Sequence, residues 1–344
     1  MRRRAAAAIA FTALVATSCA GPQASPGSGA PSVTGSAPAS PAQATSSPSA
    51  LTQPSPSAAG PATRVALTGQ GPIGLDLAGD RAWVVLPDSG DLAEVDLASA
   101  TEVRSIAVGT GGSHVAVGSR AIYVGRFDAS GGGETLVVVE PTTGEVSGIS
   151  VGPLESVSVD GETVWALEKT GTIQIIDAKT RAITGSTSVH IDPDAHAEAV
   201  PGAGSLWISG DRTPVHRIDP KTAKVVADIE TGGGIPLAFS DGLIWGARAD
   251  ELWAIDPASD EVSRRVPLAN LIEILALDVD GDEAWLAVRH PGRVGAVVRL
   301  DVATEQVVAE FSVSLPAGVA IDASHVWVTS YDTNELLGFE RGPR

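Results

Sequence analysis

The sequence predicts an all-β protein, a seven-bladed β-propeller with four-stranded blades, and three observations carry that prediction. An aromatic recurs at Trp83, Tyr123, Trp165, Trp207, Trp245, Trp285 and Trp327, at intervals of 40, 42, 42, 38, 40 and 42 residues. Each sits in a short apolar run (DRAWVV, SRAIYV, ETVWAL, GSLWIS, DGLIWG, DEAWLA, SHVWVT), and a second run ending in an acid-led turn follows it (EVDLASA, VVEPTTG, IIDAKTR, RIDPKTA, AIDPASD, RLDVATE, GFERGPR). The seventh unit stops after its third run, while the repeat region opens with TRVALTGQGPIG, which reads as a fourth strand feeding a first. A period near 40 with four short alternating runs per unit is how propeller blades read in sequence. The N-terminal strand is therefore expected to complete the last blade and leave no open edge between blades.

The elements follow in chain order. MRRRAAAAIAFTALVATSCAG combines Arg2, Arg3 and Arg4, an apolar run from Ala5 to about Val15, and small residues before Cys19. These are the three zones of a signal peptide, assigned to residues 1–18. Cys19 is the only cysteine, so no intrachain disulfide is possible. With Ala16, Thr17 and Ser18 before it, Cys19 resembles the lipobox of bacterial lipoproteins, with Ala16 where leucine is usual. That resemblance implies lipidation of Cys19, a membrane tether and residence on the outer face of the cytoplasmic membrane; without lipidation the protein is secreted. Residues 20–63 contain no charged side chain and are dominated by Pro, Ser, Ala and Gly. Such a tract buries too little apolar surface to offset its ordering entropy, so residues 19–63 are read as the lipidated Cys plus a disordered linker. As a coil its ends lie roughly 35 to 40 Å apart. Residues 64–344 are the propeller.

Composition agrees with this division. Hydrophobic residues make up 43% of the chain, and Gly 38 with Pro 23 point to many turns rather than long helices. The formal net charge of -18 excludes a phosphate-tracking surface, so no nucleic-acid partner is expected. No stretch reaches the ~20 apolar residues that a membrane-spanning helix needs.

Within the repeats, DGETVWALEKTGTIQIIDAKT and HRIDPKTAKVVADIETGG fit a pattern DG..VWV…G.V..IDP.TG.VV..I.VG. Over about residues 64 to 344 this resembles the YVTN/virginiamycin-B-lyase-like propellers, many of which are bacterial envelope proteins. The resemblance implies the propeller fold. For the lyase branch it also implies His and Glu side chains near the central channel acting with a magnesium ion.

Candidate functional residues are those the repeat does not explain. The recurring aromatics and the acids at Asp96, Glu140, Asp177, Asp219, Asp256 and Asp301 occupy one position per blade, so packing and turn formation account for them. Trp253 falls outside the aromatic register and is assigned to the third strand of blade five. DVDGDE, residues 278 to 283, has Gly281 misplaced for a calcium loop and is read as a turn. VHIDPDAHAEAV breaks the repeat: His190, Asp192, Asp194, His196 and Glu198 alternate, so an extended chain would project them from one side as candidate metal ligands, although Pro193 interrupts that ladder. Connections between successive blades line the channel mouth, which makes His114, Glu155, His196, Glu198 and Glu273 candidate binding residues there. Arg126, Arg212, Arg248, Arg289 and Arg293 follow second strands and form a candidate binding rim, able to grip carboxylate or phosphate or to pair with neighbouring aspartates.

No nucleophile, P-loop, HExxH or CxxC motif occurs. Two readings remain open. The first is a monomeric, membrane-tethered binding or scaffold module for a protein, a cell-envelope component or a small ligand, with no cofactor. The second is a lyase or hydrolase at the channel mouth, assisted by a divalent metal.

Overall fold

The computed structural model describes residues 60–127, 134–192, 195–268, 271–292 and 294–341. Within them the chain forms seven four-stranded antiparallel sheets and no helix, so no helix among the described residues is long and apolar enough to cross a membrane. Blades one to six run Leu75–Ala107, Gly112–Ile149, Leu154–Ser188, Ala197–Ile229, Leu237–Pro267 and Glu273–Ser312. In each, four strands a to d follow one another from the channel outwards, as in blade three with Leu154–Asp160, Thr163–Glu168, Thr172–Asp177 and Ile183–Ser188. The a strands contact one another in succession, and that of blade seven returns to that of blade one. The propeller is a closed ring.

Closure occurs where the repeat count requires it. Blade seven takes strands a to c from Pro316–Ile321, His325–Ser330 and Glu335–Glu340, and its d strand is Thr63–Ala66. Arg64 lies opposite Leu337 and Val65 opposite Leu336 in the antiparallel register. The Glu102 carboxylate of blade one then receives the Thr68 N–H and hydroxyl at 2.6 and 2.7 Å, holding the crossing segment down.

The seven repeated aromatics are all buried, at 0–3% exposure. Each shares a hydrophobic cluster with residues of the next blade, Trp83 with Val124 and Val137, Trp165 with Leu206, Trp245 with Leu286, and Trp327 with Val84 of blade one. Burying large rings in this position is what glues one twisted sheet to the next. Trp253 is also buried, on strand c of blade five as expected. Its ladder partner is Gly246, where any Cβ would overlap the indole, so the bare glycine makes room for the extra ring.

The acid-led turns join strands c and d. Asp177 accepts the Thr180 N–H and hydroxyl, both at 2.7 Å, and its carbonyl accepts the Arg181 N–H at 2.8 Å while Arg181 takes φ 59°. Asp96, Asp219, Asp256 and Asp301 accept equivalent turn N–H bonds at 2.8 to 3.0 Å. The same turns seat arginines from adjacent blades: Arg217 reaches Pro257 O at 2.8 Å and Asp260 Oδ1 at 2.7 Å.

Candidate functional site

A turn joining strands b and c lies on the same face as the connection entering strand a, because backbone bonds tie them: Phe127 N–H to Gly111 O at 2.7 Å, Lys169 N–H to Pro153 O at 2.9 Å, and Ile272 N–H to Arg289 O at 2.8 Å. Four of the five expected mouth residues meet there. His114, Glu155, His196 and Glu198 line a pocket of about 170 Å³ together with Ala197, Ile235, Pro236, Ile274 and Leu275. The pocket shares His114, Glu198, Pro236 and Leu275 with the central channel, a cavity of about 520 Å³. Glu273 stays out of it, paired instead with Arg289 Nη1 at 2.9 Å.

Local irregularity aims these side chains. In blade three the a–b ladder slips between Leu154 and Ser156, leaving Glu155 as the extra residue of a β-bulge, a device that redirects a side chain. Glu155 is 6% exposed. One of its oxygens lies 3.3 Å from Nδ1 of His196, which stands on the rim with its side chain 62% exposed. In blade two the bulge falls at Ser113, whose hydroxyl lies 2.9 Å from Nδ1 of His114. Glu198 accepts the Leu237 N–H of blade five at 2.9 Å. On the rim, Phe127 lies 6.3 Å from the His196 ring and carries the Lys169 ammonium over its own face.

Enclosure sets the protonation states. Burial pushes Glu198 up to about 7, and the Leu237 N–H only partly offsets it. Burial pushes His114 down to about 4, against the pull of Glu155 and with help from His196. His196 is raised, chiefly by its bond to Glu155.

Asp278 and Asp76 were not marked by the sequence reading as site residues, and Asp278 corrects the turn assignment of DVDGDE. It lies on strand a of blade six, opposite Trp285, and only Gly281 and Asp282 make the turn. Its carboxylate accepts the N–H groups of Val279 and, across the blade boundary, Ile321, both at 2.8 Å. Asp76 does the same for Leu77 and for Val117 of blade two, at 2.7 Å each. Burial raises both acids, Asp278 to about 6. The signal was available: the residue seven before each aromatic is Asp76, Ala116, Ser158, Val200, Ala238, Asp278 and Ala320, so two acids stand at an otherwise small or apolar repeat position.

The remaining candidates disperse. Arg126 is a correction, since at 2% exposure it is buried beneath the face, giving hydrogen bonds to Thr110 O and Glu134 O at 2.8 and 3.0 Å. Arg248 pairs with Asp250 at 2.8 Å, Arg289 with Glu273, and Arg212 is exposed. Val189 and Ile191 are buried and His190 and Asp192 exposed, and Ala195 N–H donates to Asp192 O at 3.0 Å. His190 pairs with Asp192 at 3.3 Å, away from His196 and Glu198. Cys19, Asp194 and Arg293 lie outside the described residues. Among the described residues no group of three or more His, Cys, Asp or Glu side chains is placed to hold one metal ion.

These pKa directions fix a pH dependence of stability. Glu198, Asp278 and His196 hold protons more tightly folded than unfolded, so they stabilise the fold as pH falls. His114, depressed from 6.5 to about 4, opposes them between those values. Three groups outweigh one, and the melting temperature is expected to rise from pH 8 to about pH 5, with the upper part of the rise flattened in Glu198→Gln. Below about pH 4 the trend reverses, because Asp96, Glu140, Asp177, Asp219 and Asp301, held low by their turn hydrogen bonds, then become protonated. Melting curves at half-unit pH steps test this; a monotonic fall from pH 8 to 5 contradicts it.

No protein-family model and no curated protein matches the chain. Among solved structures, the crystal structure of the computationally designed Ika8 protein is similar in fold, with a TM-score of 0.60 at 13% identity over 80% of this chain and 98% of that one.

Proposed function

We propose that this chain is an exported binding module, held at the outer face of the cytoplasmic membrane through Cys19 and the following linker, whose ligand enters the channel mouth. The observation that supports binding is the pocket itself, lined by four polar side chains from blades two to four and by apolar residues from blades five and six. Concave sites with an apolar wall and few convergent polar groups are where small ligands bind. Support for export comes from the charged, apolar and small-residue zones of residues 1–18 and from the position of the single cysteine.

Two measurements test the reading. Cys19→Ser is expected to shift the protein from the membrane to the soluble extracytoplasmic fraction; continued membrane association places the tether elsewhere. In a thermal-shift screen of small polar compounds, ligands that stabilise the wild type are expected to lose their effect in His196→Ala. Stabilisation untouched by both His196→Ala and Glu198→Gln puts the site elsewhere.

A second reading rests on the same pair. A histidine oriented by a buried carboxylate, near a carboxyl whose pKa is about 7, can take and return a proton near neutral pH, as a lyase or hydrolase requires. Stoichiometric uptake of a divalent metal that His196→Ala abolishes would favour the metal-assisted form.

A further inference from the structure

The channel-mouth pocket has an unbalanced chemistry. It is lined by the two carboxyl groups of Glu155 and Glu198, and by no lysine or arginine. Glu155 is buried, and its single hydrogen-bonding partner among the described residues is the exposed ring of His196. Glu198 has one partner, the Leu237 backbone N–H, and no cationic neighbour. Of the arginines of this face, Arg248 pairs with Asp250, Arg289 with Glu273, and Arg126 with backbone carbonyls beneath the surface, while Arg212 is exposed.

A third acceptor joins them. The Ser113 hydroxyl lies 3.4 Å from Gly125 O and 2.9 Å from Nδ1 of His114. When the hydroxyl gives its proton to Gly125 O, Nδ1 carries the ring hydrogen and donates to Ser113, and Nε2 keeps a lone pair. Burial keeps that ring neutral, so it offers an acceptor. The same pocket is lined by hydrocarbon from Ile235, Pro236, Ile274 and Leu275. The Glu198 carboxyl suits a cationic donor such as an ammonium, and the apolar residues suit a carbon chain attached to it.

Resting on the channel-mouth reading above, we propose that the pocket receives a primary ammonium group carried on a short apolar chain, with Glu198 as its charged acceptor and the blade-five and blade-six residues packing its carbons. The ammonium supplies the positive charge that Glu198 lacks. The overall charge of -18 draws such cations towards the protein. A free alkylamine and the N-terminus of a peptide share this chemistry.

Isothermal titration of the full chain in detergent at pH 7.5 separates the possibilities. The probes are n-butylamine, 1-butanol, butyrate, magnesium chloride, and the peptide Leu-Gly-Gly with and without an N-acetyl group. Butylamine, charged at this pH, is expected to bind with a Kd on the order of millimolar, the range open to so small a ligand. Tighter binding of free Leu-Gly-Gly identifies a peptide terminus as the source, and tighter binding of butylamine a free amine. Glu198→Gln, which keeps an acceptor for Leu237 N–H, is expected to weaken the amine at least tenfold, and Glu155→Gln also weakens it; unchanged melting temperatures show that both variants are folded. Equal binding of butanol, butyrate or acetylated peptide overturns the proposal, as does magnesium binding that displaces the amine, or no binding by either amine. If a neutral or anionic compound from the thermal-shift screen binds and His196→Ala abolishes it, the pocket stands and the ammonium assignment falls. If no ligand responds to either pocket variant, the pocket reading falls with it.

Discussion

Removal of Thr63–Leu67 is expected to lower the melting temperature by roughly 10 to 20 °C. These residues supply the d strand of blade seven, and Val65 and Leu67 are buried beside Leu336 and Trp327. Burying an aliphatic side chain contributes about 1.5 to 3 kcal/mol, and each ladder hydrogen bond adds roughly 0.5 to 1.5 kcal/mol net. Two side chains and a four-residue ladder therefore amount to about 5 kcal/mol or more, and each kcal/mol is worth about 2 to 4 °C in a domain of 150–250 residues. The deletion also uncovers the edge of Glu335–Glu340, an apolar strand ready to pair with another copy. Deleting residues 20–59 is expected to change the melting temperature by no more than ~2 °C, since that tract has little apolar surface to pack. Calorimetry of the two deletions decides the matter, and equal melting temperatures refute closure by the N-terminal strand.

Arg341→Ala is the second large effect. Arg341 follows Glu335–Glu340, strand c of blade seven, at 3% exposure, and its guanidinium reaches back into blade six. It meets Asp280 Oδ2 at 2.6 Å and Glu283 Oε2 at 2.8 Å, and it donates to Asp322 O at 2.8 Å. Glu283 is the hub, since its other oxygen takes the Trp285 indole N–H at 2.8 Å and Arg299 Nε at 2.6 Å. Removing one member of a buried pair costs about 3 to 5 kcal/mol, because the other charge stays buried. Arg299 still neutralises Glu283, so the expected loss lies at the lower end, about 3 kcal/mol by urea denaturation. Arg341→Lys is expected to recover only part of it, because an ammonium cannot reproduce the forked geometry. A double-mutant cycle with Glu283→Gln should show coupling above ~1 kcal/mol; strict additivity would mean that the two side chains touch without stabilising one another.

Both predictions concern the same seam. Thr63–Ala66 closes the ring by backbone pairing, and Arg341 pins the preceding strand to blade six by charge. The first was legible from a strand count, because the seventh repeat lacked its fourth run. The second was not, since nothing in GFERGPR says that its arginine turns inward.

The candidate site divides in the same way. That the connections entering blades two, three and four bear His114, Glu155, His196 and Glu198 could be read from the repeat, and so could their place at the mouth. Their convergence could not. It depends on the bulge that turns Glu155 and on contacts between residues about 40 apart, such as the 3.3 Å pair of Glu155 with His196. Glu273 occupies a comparable connection, yet Arg289 on its own blade draws it away. Arg126 resembles its siblings in sequence but meets buried carbonyls in place of solvent.

By itself, then, the sequence determined the seven repeats, the aromatic interfaces between blades, the acid-led turns and the closure, because alternation, turn chemistry and period act within a few tens of residues and repeat seven times. Only the tertiary structure decided which mouth residues share a pocket, that Asp76 and Asp278 bind neighbouring inner strands, and that Arg341 locks the seam. Those outcomes arise between blades, where ring geometry and bulges bring together side chains whose positions no local pattern encodes.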